Sequence, residues 1–100
     1  MKNKSIEALG LYEALEACKK GFPKAFENIP PIEWEITREE SSVVRYISIL
    51  SKKSIYSFNV AIDYGFTPMF EAYALFSEET IKDFDYGAAT DFLRSLGYKI

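Results

Sequence analysis

The chain has 100 residues, 48% of them hydrophobic and 16% aromatic, and carries a net charge of −3 from 15 acidic and 12 basic side chains. That length suits a single domain spanning 1–100, and the apolar fraction supplies a core and excludes wholesale disorder. With no histidine and a single cysteine, Cys18, the composition excludes Ser-His-Asp and Cys-His nucleophile systems, an internal disulfide and a conventional zinc site.

The opening MKNKSIEALG has no apolar signal core, and no apolar run approaches the ~20 residues that cross a bilayer. The expected setting is therefore cytoplasmic, with no membrane partner. Ser5 suits a helix N-cap and Glu7 suits the first turn. Ala8, Leu11, Leu15 and Cys18 then fall on one helical face. Lys19 and Lys20 suit the last turn and Gly21 the C′ position. Pro23 opens a second short helix to about Asn28, and Pro30-Pro31 stops it.

After the prolines the period changes from helical to two. In the stretch 32–37, Ile32, Trp34 and Ile36 point one way, and Glu33, Glu35 and Thr37 the other. The run SVVRYISIL (42–50) is rich in β-branched residues. IYSFNVAIDY (55–64) alternates, with Tyr56, Phe58, Val60, Ile62 and Tyr64 opposite Ser57, Asn59, Ala61 and Asp63. The polar link Ser51-Lys52-Lys53-Ser54 reads as a hairpin turn. A symmetric hairpin there sets Arg45 across from Val60, and Tyr46 across from Asn59.

MFEAYALF (69–76) is compatible with helix or strand. Ser77-Glu78-Glu79 reads as a fresh helix start, which argues that a strand precedes it. That strand turns Phe70, Ala72, Ala74 and Phe76 inward, and Glu71, Tyr73 and Leu75 outward. Two helices are then expected, about Glu78 to Phe84 and Tyr86 to Leu96. Asp85 caps the second, Ala89, Phe92, Leu93 and Leu96 form its apolar stripe, and Gly97 ends it.

Three to four sequential strands with short links favour an antiparallel meander, because parallel strands need long crossovers. With helices at both chain ends the fold class is α+β, a two-layer sandwich. One sheet face is then open. Its expected set is Glu33, Glu35, Tyr46, Ser57, Asn59, Asp63, Glu71 and Tyr73.

Glu33 and Glu35 are the best catalytic candidates by residue type, about 6.6 Å apart on one strand face. Paired carboxylates at such a distance occur in inverting glycosidases, but every alternating strand produces that spacing, and no cleft signal accompanies it. They read instead as a wet or partner-binding face. Asp83-Phe84-Asp85-Tyr86-Gly87 is only a fragment of a calcium loop and reads as an interhelical turn. Cys18 reads as core and Lys52-Lys53 as a solvated hairpin tip. No cofactor or metal site is implied. Arg45 fits least well, since its face should be buried; it reads as a side chain reaching the sheet edge, a bulge, or an inward anion site.

From Asp63 to Asp91 seven acids face a single base, Lys82. That field repels phosphate backbones, which disfavours nucleic acid, and attracts a basic protein surface. The leading expectation is a small acidic protein that binds and regulates or inhibits another protein by steric blockade, of immunity, antitoxin or anti-defence type. The alternatives are a small-ligand-binding or enzymatic domain using the open face and Arg45, and a homodimeric structural subunit.

Overall fold

A computed structural model describes residues 4–40, 45–62, 69–77 and 79–100. Four antiparallel strands lie in sequential order, β1 (Glu35–Glu40), β2 (Arg45–Leu50), β3 (Tyr56–Ala61) and β4 (Met69–Ala74). Two helices, α1 (Leu11–Gly21) and α2 (Tyr86–Ser95), pack together on one side of the sheet. The fold is the α+β sandwich that the two periods of the sequence imply.

The first helix starts later than its cap signal suggests. Ser5 does cap, its Oγ accepting the Glu7 N–H at 3.3 Å, but it opens only a single 3-10 turn, Ile6–Ala8. The chain then extends through Leu9 and Gly10, and α1 restarts at Leu11. Glycine weakens a helix interior, so the break falls there. Glu13 sits at the third helical position and accepts the Gly10 N–H at 3.2 Å, satisfying a donor that the helix start leaves over.

Gly21 closes α1 for a different reason from the one its position suggests. It is the last helical residue, with an ordinary backbone, and is not a left-handed cap. A Cβ there would lie 2.4 Å from the Phe84 ring. The missing side chain lets Phe84 close over the helix end, and the Asp85 N–H donates to the Gly21 carbonyl at 2.8 Å. Gly97, by contrast, has φ 97° and ends α2 as expected. The Tyr98 N–H reaches the Leu93 carbonyl and the Gly97 N–H the Arg94 carbonyl, the pair of bonds of a Schellman ending. Asp85 caps α2 through Oδ1, which accepts the Ala88 N–H at 3.0 Å.

Three expectations along the sheet are corrected. First, the prolines delay β1. Pro31–Glu33 forms a 3-10 turn, Ile32 is 89% exposed, and pairing begins only at Glu35. Second, the β2–β3 register is offset by two residues. Tyr46 faces Ala61, and the Ile62 N–H bonds the Arg45 carbonyl. The cause is the turn itself: buried Ser51 and Ser54 accept the backbone N–H groups of Lys53 and Tyr56, which enlarges the loop. An even offset leaves every side chain on its expected face.

Third, no helix spans 79–84. The chain turns at Leu75–Ser77, and residues 79–81 run back along β4. Thr80 pairs with Tyr73, the Ala74 N–H bonds the Glu79 carbonyl, and the Ile81 N–H bonds the Ala72 carbonyl. These bonds cover the β4 edge at Ala72, Tyr73 and Ala74. The turn also leaves Phe76 86% exposed rather than inward.

The core lies between sheet and helices. Its sheet side is Ile47, Ile49, Phe58, Val60, Phe70 and Ala72, and its helix side Leu15, Ala17, Cys18, Ala89 and Leu93. Aromatic rings link the layers: Trp34 on Phe26 at 4.6 Å, Phe26 on Phe58 at 5.1 Å, and Phe84 on Phe70 at 5.6 Å. Burying each phenylalanine contributes about 1.5–3 kcal/mol.

Candidate functional site

The helices leave the other sheet face without a described helix across it. Pairing arranges its side chains in rows, because residues directly opposite on antiparallel strands share a face. One row runs Glu35, Leu50, Ser57, Tyr73. The next runs Thr37, Ser48, Asn59, Glu71, and the third Glu39, Tyr46, Ala61, Met69. Ala61 is buried, and the remaining positions are exposed or half-buried.

The expected site residues therefore divide. Glu35, Tyr46, Asn59, Glu71 and Tyr73 come together on this face. Glu33 does not: held in the 3-10 turn before β1, it pairs with Lys53 Nζ at 3.1 Å. Asp63 lies outside the described residues. Glu39 belongs to the face as well, beyond the reach of the 32–37 pattern, because strand β1 runs on to Glu40. It accepts a hydrogen bond from the Thr37 hydroxyl at 3.2 Å.

These strand positions hold three carboxylates and neither lysine nor arginine. Arg38 and Arg45 belong to the same strands but point to the helix side, and in the hairpin turn beyond Leu50 Lys53 pairs with Glu33. Apolar groups complete the composition. Leu50, Met69 and Leu75 are exposed, with Ile55 and Phe76 at the same end of the sheet as Leu75. A groove of about 370 Å³ opens there, lined by Ser57, Tyr73, Ala74 and Leu75.

Arg45 lies on the helix side of the sheet, opposite Glu40, at the end of β2. It is half-buried and reaches towards Glu7 Oε2 at 3.7 Å. This is the sheet-edge position, with a carboxylate at hand, and it is on the opposite face from the rows above. Cys18 is fully buried in α1, and burial pushes its thiol up from the ordinary range, away from the reactive thiolate. Among the described residues no three His, Cys, Asp or Glu side chains are grouped to hold a metal ion. No helix among them is long and apolar enough to cross a membrane.

One polar cluster has almost no signature in the sequence. The Tyr98 hydroxyl donates to Glu13 Oε1, Lys4 Nζ stands 3.8 Å from Glu13 Oε2, and the same ammonium lies 5.3 Å from the Tyr98 ring centre. The Tyr98 hydrogen bond is the main cause that holds the Glu13 carboxyl below its ordinary value. Burial first, and Glu13 second, push the Tyr98 phenol up to about 12. The cluster fastens the chain ends, where Lys4 and Tyr98 bridge in parallel. The Gly10-x-x-Glu13 spacing is its only local trace. It is a structural clasp, since it lies with the helices and away from the open face.

No family model, curated protein or solved structure matches the chain.

Proposed function

We propose that the chain binds another protein through the open sheet face and, by covering a basic surface of that protein, inhibits or regulates it. The observation that carries this reading is the one-signed composition of the face: Glu35, Glu39 and Glu71 among Tyr46, Tyr73, Leu50 and Met69, with no lysine or arginine at the outward strand positions, while Arg38 and Arg45 lie on the helix side. Carboxylates speed encounter with a basic patch, while tyrosines supply contact area with hydroxyls that tolerate water. Blocking by occupancy asks for no catalytic group, which suits a face built from carboxylates, amide, hydroxyls and apolar side chains.

The other two readings find less support. Pairing this face with its own copy sets carboxylates against carboxylates. A ligand site using both this face and Arg45 needs them on one side of the sheet, and they are on opposite sides. The setting we propose is cytoplasmic.

The test is capture of partners from the source cells on the tagged chain, followed by binding kinetics with the purified partner. Glu35→Lys with Glu71→Lys should slow association tenfold or more and leave the melting temperature unchanged. Raising salt from about 0.05 to 0.5 M should slow the unaltered chain in the same way. An association rate indifferent to both changes overturns the proposal.

A further inference from the structure

The open face changes character along its strands. Towards Met69 and Glu39 it is a mixed polar surface. At the other end, Ile55 and Leu75 are joined by the Leu75 N–H to Ile55 carbonyl bond at 2.7 Å, and Phe76, the next residue, is exposed. The groove of about 370 Å³ begins here. Ser57, Tyr73, Ala74 and Leu75 line it. Exposed aliphatic and aromatic groups around a concave site lose unfavourable hydration when an apolar group fills it.

Charge selects the kind of group that arrives. Glu71 lies on the same strand and the same face as Tyr73, two positions earlier, so its carboxylate stands about 7 Å along β4 from the groove. We propose that this end of the face is an anchor site for one large apolar side chain of the partner protein, carried about 7 Å from a lysine or arginine that meets Glu71. This rests on the protein-binding reading of the face and narrows it to a partner segment that is both basic and apolar. A second copy of the chain is the poorer occupant, because the copy would bring Glu71 rather than a cation. A small anion is poorer still, since the groove is lined by a serine, a tyrosine and two apolar residues, with no cation among them.

The experiment is selection of a random peptide display library on the immobilised full chain, with amide shift mapping of the selected peptides. Enriched peptides should carry Leu, Met or Phe with Lys or Arg two positions away if extended, or three to four if helical. Their binding should perturb Ser57, Tyr73 and Leu75, and Leu75→Ser and Glu71→Lys should each weaken it tenfold or more. The mapping uses the unaltered chain, so it stands even if a variant folds poorly. Basic peptides without an apolar residue, sensitive to Glu71→Lys and indifferent to Leu75→Ser, overturn the anchor and leave the acidic-face reading standing. Uncharged apolar peptides, sensitive only to Leu75→Ser, overturn the acidic reading and the cation requirement with it. No enrichment, or perturbations confined to other surfaces, overturns the anchor site.

Discussion

Strand β3 presents two surfaces from one stretch of chain. Phe58 and Val60 face the helices and are buried, while the intervening Asn59, with Ser57 before it, faces out and is half-buried. The difference between the two sides is not secondary structure, which is shared, but what each side chain gains from its surroundings. On the inner side, each position is set by volume and contact with its neighbours. On the outer side, the fold needs only a residue that tolerates water and a pleated backbone, so residue identity is free to serve association.

The largest expected effect tests this contrast on adjacent residues. Phe58→Ala removes a ring packed on Phe26 and near Trp34 and Phe84, and should cost about 3–5 kcal/mol in denaturant unfolding. Asn59→Ala, one position on, should stay within about 0.5 kcal/mol. Equal costs at the two positions would mean that the outer face is buried in the folded chain, and the binding surface would be lost with it.

Gly21→Ala comes next. A Cβ at 2.4 Å from the Phe84 ring cannot be accommodated without moving it, and overpacking of this kind costs about 1–3 kcal/mol. Phe84→Leu in the same chain should return part of that loss, because the smaller side chain vacates the ring edge. Additive costs in a double-mutant cycle would show that the two residues do not compete for the space.

These two sites also mark how far the sequence can be read. Period-two alternation over 55–64 is enough to assign the inner and outer sets, and those survive even where the hairpin register differs, because an offset of two leaves each side chain on its face. At Gly21 the sequence points to the right place for the wrong reason. A cap signal is local, whereas the close approach of Phe84 is made by a residue 63 positions later and has no local trace. Glu33 departs from its expected place for a related cause: alternation predicts a strand from Ile32, and the prolines instead hold Pro31–Glu33 in a 3-10 turn. Ser77-Glu78-Glu79 carries a helix-start signature, yet residues 79–81 complete the β4 edge, where tertiary pairing outweighs a local preference.

Trp34 refines the inner side. Its ring is in the core as its alternation implies, but its indole Nε1 is buried without a hydrogen-bond partner among the described residues. An unmet donor of this kind costs about 1–3 kcal/mol. Trp34→Phe gives up ring volume but also removes that donor, so its net cost should be under about 2 kcal/mol, well below that of Phe58→Ala. A thermal or denaturant melt decides it; a loss as large as that of Phe58→Ala would mean that the indole N–H has a partner in solution.

The smallest expected effect belongs to the clasp at the chain ends and is read as a pH dependence. In the folded chain the Tyr98 hydroxyl, then the Gly10 N–H and Lys4, hold the Glu13 carboxyl below its ordinary value of 4.5, against the opposing effect of burial. The folded state therefore binds this proton less tightly than the unfolded state does. The stability it contributes is fully present above the ordinary value and is lost as pH falls through the lowered one. Tyr98→Phe removes the first of these causes, so its melting temperature should fall less steeply than that of the unaltered chain between about pH 5 and 3, and Glu13→Gln should flatten the same slope. At the alkaline end the sign reverses. The phenol, pushed up to about 12 chiefly by burial, contributes stability that is present below its ordinary value of 10.0 and lost as pH rises through the raised one. Parallel acid slopes for Tyr98→Phe and the unaltered chain would separate Glu13 from Tyr98 and leave the clasp to backbone pairing alone. None of these changes touches the open face, so partner binding near neutral pH should be unaltered in each, and a loss of binding there would place part of the contact surface on the helix side.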